Sequence, residues 1–207
     1  MGVVTLACVP DPAQIAAYGG ATNPVIAALL ARNPWPAPNI PGTFGGALVG
    51  SEGSGCPNGP NSSVVSPSFN RLTSFIGKVD QHFNTNNVLT GRYFFGDSVQ
   101  SFPLALTASG GQLPGFNTYT PTRVQLVSIS YVHTFGSNKV NELRYGWNRF
   151  AEGFFPGDQS FSPSSIGLNT GTGAADQGLP IILVGGFAQL GATSSVPRHR
   201  VDSNNQV

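Results

Sequence analysis

Charged residues are scarce in this sequence. Only 9% of its 207 residues are Asp, Glu, Lys or Arg, whereas about a quarter is usual for soluble globular domains. The net charge is +1 with a pI near 7.8, and basic residues cluster only in the short stretch Arg198-His199-Arg200. This balance gives no electrostatic basis for binding nucleic acid, which we therefore exclude as a partner.

Long apolar runs are absent as well. No stretch approaches the roughly 18 apolar residues of a membrane-spanning helix. The opening residues MGVVTLACV lack both the basic region and the full apolar region of an export signal. We therefore expect neither a transmembrane helix nor an export signal within these residues.

The motifs of common enzyme classes are also missing. The sequence contains no Gly-x-Ser-x-Gly, no His-Glu-x-x-His and no spaced pair of catalytic carboxylates. Its histidines, His82, His133 and His199, have no acidic or cysteine neighbours at metal-ligand spacing. We predict that the chain is not an enzyme, and we assign it no catalytic residue, metal site or cofactor.

Cysteine is rare, with Cys8 and Cys56 the two in the chain. Both lie in an N-terminal third that looks like loop, where a disulfide would close a long surface segment in an oxidising compartment. Two free thiols are the alternative, and the spacing fits no metal motif. The sequence leaves both alternatives open.

Glycine, proline and phenylalanine are abundant, at 27, 17 and 14 residues, which favours strands joined by irregular loops. Residues 1–69 are predicted to be loop-rich with two short helices. The first begins at Asp11-Pro12-Ala13-Gln14, and the second runs from Asn23 to Arg32, where Asn33-Pro34 ends it.

From about residue 71 the pattern alternates with the period of a strand. We predict four strands, at 72–83, 88–97, 122–135 and 139–150. Each has the roughly 10 residues that a tilted membrane strand needs. Short turns join the first pair and the second pair, whereas long loops occupy 98–121 and 151–200. Alternating short and long connections are typical of outer-membrane barrels.

The predicted organisation is therefore a loop-rich segment (1–69), four barrel strands (70–150) and a long extracellular loop leading to a further strand (151–207). The predicted fold class is all-β, an antiparallel meander of long strands that forms part of a transmembrane barrel.

Alternation also divides the strand side chains into two sets, because successive residues point to opposite sides. We predict that an apolar and aromatic set faces lipid and includes an interfacial aromatic girdle, and that a charged set faces the lumen. The alternative for the first set is the packed core of a soluble sandwich. For the second set it is ordinary cross-strand pairing. The first set is Phe75, Val79, Tyr93, Phe95, Ile129, Tyr131, Leu143, Tyr145 and Trp147, and the second is Lys78, Asp80, Arg92, Glu142 and Arg144.

Residues 23–150 carry a family resemblance. In order, they contain NPVIAALLARNPWPAPN, FNRLTSFIGKVDQHFNTNNVLTGRYFFGDS, LPGF and SYVHTFGSNKVNELRYGWNR. The order and spacing resemble the barrel of Oar-like TonB-dependent outer-membrane receptors, with a weaker similarity in VPRHRVDSNNQV. The resemblance implies the bacterial outer membrane, a plug, and a closed barrel of about 22 strands.

No plug or TonB-contacting segment is found here, and the strands are too few to close such a barrel, so we interpret the chain as a barrel fragment. The partners that the resemblance implies are outer-membrane lipid, a TonB-type energising protein acting through the plug, and an extracellular ligand. The implied function is energy-coupled uptake or movement of a large ligand. A surface binding or adhesion protein and a secreted soluble β-sandwich are the alternatives.

Overall fold

The structure is a computed structural model that describes residues 2–10, 16, 23–40, 56, 60–102, 113–171, 173, 176–183 and 187–207. Its strands are β1 (Gly2–Ala7), β2 (Ser62–Pro67), β3 (Asn70–Asn84), β4 (Asn87–Ser101), β5 (Thr118–Thr134), β6 (Val140–Pro156) and β7 (Arg198–Gln206). Its helices are α1 (Pro24–Ala31) and a 3-10 turn at Pro163–Ile166. Within the described residues, no helix is long and apolar enough to cross a membrane.

The chain forms two compact units. One, which we call the sheet unit, contains Asn70–Gln100, Thr120–Gly153 and Arg198–Val207. The other, the connection unit, contains Met1–Phe69, Ser101–Tyr119 and Phe154–Pro197. The connection unit thus gathers the segment before β3 and the long connections that follow β4 and β6.

The sheet unit is built on a five-stranded sheet in the order β3-β4-β5-β6-β7. Consecutive strands are neighbours, and the sheet is an antiparallel meander that is not closed. Strands β3 and β4 have 15 residues each, and β5 and β6 have 17 each, against about 5 to 6 in ordinary globular domains. The predicted all-β meander of long strands is confirmed.

The observed strands are longer than the predicted ones. Strand β5 begins at Thr118 rather than at residue 122, and β6 continues to Pro156 rather than ending at residue 150. Main-chain pairing continues into the segment predicted as a loop at 98–121, since Phe102 N donates to Thr118 O (2.9 Å). Proline and glycine near these ends suggested loop, but proline is tolerated where its position needs no donor.

Tight turns join β3 to β4 and β5 to β6, and the residues in each turn explain its geometry. In the turn after β3, the Asn84 side-chain oxygen accepts from Asn86 N (2.9 Å) and from Asn87 Nδ2 (2.7 Å), as asparagine does in tight turns. In the turn after β5, Gly136 has a φ of 79°, which glycine adopts without a steric penalty.

Helix α1 is the second of the two predicted helices, and local signals define it. The Asn23 side chain accepts from Val25 N (2.8 Å), Pro24 occupies the first turn, and Asn33 leaves the helix with a φ of 49°. The first predicted helix, at Asp11–Gln14, lies outside the described residues.

The loop prediction for residues 1–69 missed a strand pair. Strands β1 and β2 pair antiparallel, with Val4 opposite Val65 and Leu6 opposite Ser63. Both strands are short, and the two partners are far apart in sequence. No hairpin turn signal therefore connects them.

The core of the connection unit draws on all of its segments. The buried apolar side chains come from β1, α1, both long connections and the residues between: Ala7, Val9, Leu29, Leu113, Phe116, Ile166, Leu179, Ala188 and Leu190. Trp35 packs against this cluster. The cluster gives the connection unit an apolar core to which the N-terminal segment and both long connections contribute.

Candidate functional site: the two faces of the sheet

One face of the sheet unit carries aromatic side chains in contact across strands. Phe75 lies opposite Phe95 in the β3–β4 register. The Phe75 ring lies 5.3 Å from the Phe95 ring and 5.8 Å from the Tyr93 ring, measured between centroids. The Arg123 guanidinium lies 5.5 Å from the Phe95 centroid. We call this side the aromatic face; alternation also puts Val79, Ile129, Tyr131, Leu143, Tyr145 and Trp147 on it.

The polar atoms of these rings are bonded to side chains on neighbouring strands. Gln125 Nε2 donates to the Tyr93 hydroxyl (2.9 Å), and the Tyr131 hydroxyl donates to Asn87 Oδ1 (2.5 Å). On β6, the Tyr145 hydroxyl donates to Asn205 Oδ1 (2.8 Å) and Trp147 Nε1 donates to Ser203 Oγ (3.0 Å). A ring satisfied in this way can face an apolar medium without an unpaired polar atom.

Charged side chains on the aromatic face lie toward the ends of β3–β6 that meet the long connections. The Arg123 and Asp97 side chains pair there at 2.9 Å. The ten residue steps from Asp97 to Asn87 on β4 span about 33 Å along the strand, or about 25 Å across a membrane at a tilt near 40°. No charged residue of β4 lies on this face between them. This height matches the apolar band of outer-membrane barrels.

The opposite side, which we call the charged face, carries Lys78, Asp80, Arg92, Glu142 and Arg144. Lys78 Nζ lies 2.6 Å from Asp80 Oδ2. Arg144 binds Glu142 through two hydrogen bonds, of 2.7 and 2.8 Å. Both pairs join residues two apart on one strand and not residues on neighbouring strands, as cross-strand pairing would require. The reason on β3 is register, since the residue opposite Lys78 is the cation Arg92.

Neutral hydroxyls supply the cross-strand bonds to these carboxylates. Thr90 Oγ1 donates to Asp80 Oδ1 (2.7 Å), and Ser130 Oγ donates to Glu142 Oε1 (2.9 Å). The Arg92 guanidinium differs from the other charged groups of this set, because it has no hydrogen-bond or ion-pair partner among the described residues. Arg92 is therefore the unneutralised cation of the predicted charged set.

The remaining candidates from the sequence are the two cysteines and the histidines. Cys8 and Cys56 are joined by a disulfide in the connection unit, with their Cα atoms 5.8 Å apart. The His133 ring lies 2.6 Å from Asn87 Oδ1 and packs edge-on against Phe135. In the described part of the chain, no three His, Cys, Asp or Glu side chains are grouped as metal ligands would be.

The amide and hydroxyl partners Asn87, Ser203 and Asn205 are not among the residues predicted from the sequence. Strand β7 has a polar sequence on both sides, RHRVDSNNQ, so apolar alternation does not mark it as a strand. Its pairing with β6 brings Ser203 next to Trp147 and Asn205 next to Tyr145.

A long antiparallel sheet with one charged face and one aromatic face whose charged residues lie toward one end is the arrangement of transmembrane β-strands. The family comparison agrees with this class. The chain belongs to the outer membrane beta barrel domain family, whose model matches residues 7–207. It is therefore a protein of the bacterial outer membrane, and the soluble sandwich alternative is set aside. No curated protein and no solved structure matches the chain.

Proposed function

We propose that the aromatic face contacts lipid and that the charged face lines a water-filled interior. The observation that carries this proposal is the separation of charge, because Lys78, Asp80, Arg92, Glu142 and Arg144 share one face, whereas the charged residues of the aromatic face lie toward the long connections. An arginine facing lipid at the membrane midplane costs about 2 to 4 kcal/mol. Arg92, with no partner in the described chain, is the residue for which lipid exposure would be least favourable.

Adjacent residues on β5 provide a matched test of this orientation. Ile129 is on the aromatic face and Ser128 on the charged face. We expect Ile129→Arg to destabilise the protein folded in lipid vesicles by about 2 to 4 kcal/mol, and Ser128→Arg to destabilise it by about 1 kcal/mol or less. Reversible denaturant unfolding in vesicles measures both. A larger loss for Ser128→Arg than for Ile129→Arg would show that the orientation is reversed.

For the whole protein, we propose a TonB-dependent receptor that moves a large or scarce ligand across the outer membrane. The support is the ordered similarity of residues 23–150 to the barrel of Oar-like receptors. The energising partner would be a TonB-type protein acting through a plug, and we assign no catalysis to this chain. The proposed ligand-binding surface is the connection unit, because loops on a rigid scaffold commonly carry recognition.

Removing the energising protein from cells that make the receptor tests energy coupling. We expect ligand uptake to stop while ligand binding at the cell surface persists, because binding needs no energy input. Restoring the energising protein should restore uptake. Uptake that continues at its full rate without the energising protein would overturn the TonB-dependent proposal and leave a passive barrel.

Surface binding or adhesion without transport is the second candidate. The observation that favours it is the disulfide-bonded connection unit with its own apolar core, which is suited to holding a stable binding surface. This candidate predicts surface attachment with no uptake in cells that contain the energising protein. The uptake measurement above therefore separates the two functions.

A further inference from the structure

The charged face has a depression of about 410 Å³ in the middle of the sheet unit. Its lining includes Arg92 with apolar side chains from β3, β4 and β5 and amide side chains from β6 and β7, namely Ile76, Phe94, Leu126, Asn148, Asn204 and Gln206. Ile76 and Phe94 are residues at which the apolar alternation of their strands is broken. The depression gives these two apolar side chains a common location on an otherwise polar face.

Gly146 accounts for part of this space. It lines the depression, and a Cβ atom added to it would meet no other atom within 4 Å. The backbone at Gly146 does not have a positive φ, so the position does not need glycine for its conformation. A side chain placed there would extend into the depression without colliding with the backbone.

The charge of the depression is positive. Arg92 has no anionic partner among the described residues, and Lys78, opposite it in register, is bonded to Asp80. Glu142 is likewise held by Arg144. A planar guanidinium without an anionic partner pairs best with a carboxylate or phosphate, to which it can donate two parallel hydrogen bonds.

The amide and apolar side chains that line the depression further restrict the class of ligand that it can bind. Asn204 Nδ2 donates to Asn148 Oδ1 (3.2 Å), which leaves the Asn148 amide nitrogen as a donor at the edge of the depression. The Ile76, Phe94 and Leu126 side chains offer apolar surface beside Arg92. A bare inorganic anion would leave that apolar surface in contact with water, whereas an anion with an apolar body would cover it.

We propose that this depression binds a small organic carboxylate, with its carboxylate on Arg92 and its apolar body against Ile76, Phe94 and Leu126. This inference rests on the proposed function in one respect, because the charged face must be open to water for the ligand to reach it.

The test uses the full chain folded in detergent micelles, titrated calorimetrically with 4-phenylbutyrate, with its neutral amide analogue and with inorganic phosphate. We expect saturable binding of 4-phenylbutyrate that is about tenfold or more tighter than binding of the amide, because the ion pair to Arg92 is lost in the amide. Phosphate should bind more weakly than 4-phenylbutyrate. Equal binding of the amide, equal binding of phosphate or no saturable binding would each overturn the proposal.

Variants locate the site. Arg92→Gln and Gly146→Leu should each weaken 4-phenylbutyrate binding about tenfold or more, the first by removing the charge and the second by filling the space. Arg144→Gln removes a paired arginine of the same face and should change the affinity less than about twofold. Circular dichroism checks that each variant folds. A loss of affinity in Arg144→Gln equal to that in Arg92→Gln would indicate a general charge effect and overturn the site.

The two proposals fail separately. If the β5 arginine variants report the expected orientation but 4-phenylbutyrate does not bind, the site is wrong and the orientation stands. If the orientation is reversed, the site loses its access to water, and the β5 variants show this without any ligand.

Discussion

Replacing Cys8 and Cys56 together by serine should lower the free energy of unfolding of the connection unit by about 4 kcal/mol. The disulfide joins residues separated by 48 positions, and a cross-link restricts the unfolded chain more strongly when it closes a longer loop. Because the connection unit is assembled from three separated segments, a cross-link within its first segment restricts a large part of its unfolded ensemble.

The two tryptophans of the sequence allow this loss to be measured in one unit. Trp35 packs against the core of the connection unit, and Trp147 belongs to β6 of the sheet unit. In a Trp147→Phe background, denaturant unfolding followed by Trp35 fluorescence reports on the connection unit. Reductant should produce the same loss in the protein with both cysteines and no further loss in the serine variant. An unchanged Trp35 transition would contradict the prediction.

Replacing Asn61 by alanine should destabilise the connection unit by about 2 to 6 kcal/mol. Asn61 is 5% exposed and Val9 is 1% exposed. The Asn61 side chain accepts from Val9 N (2.8 Å) and donates to Val9 O (2.7 Å). Alanine leaves both main-chain groups buried without a partner, and each unsatisfied group costs about 1 to 3 kcal/mol.

Asn39 provides the matched control, because it makes the same pair of bonds in an exposed position. Its side chain donates to Ser63 O (2.8 Å) and accepts from Ser63 N (2.7 Å). Water can replace these bonds in Asn39→Ala, so we expect a loss of about 1 kcal/mol or less. The same Trp35 measurement compares the two variants. Equal losses would show that burial of the Val9 main chain does not explain the role of Asn61.

Local signals in the sequence were sufficient for helix α1 and for the two tight turns. The cap Asn23, the first-turn Pro24 and the exit at Asn33 all lie within ten residues of each other, and each acts on the main chain next to it. Strands β1 and β2 have no such signal. Their short segments are held together by pairing across the intervening chain, which propensity alone does not report.

The two faces of the sheet could also be predicted from the sequence only in part. Alternation predicted which side chains share a face, because a strand has a period of two whatever its neighbours are. It did not predict their partners. The contact of Tyr145 with Asn205 joins residues 60 positions apart, and Arg92 has no partner among the described residues because register places it opposite Lys78 rather than opposite a carboxylate.

The amino-acid sequence by itself determined the strand period, the long strands, the short turns and the separation of aromatic from charged side chains, because each depends on residues close together in the chain. Only the tertiary structure decided which charges are paired, where the depression beside Arg92 lies, and that Cys8 meets Cys56. These features depend on strand register and on packing between distant segments, where small shifts in position decide which side chains touch.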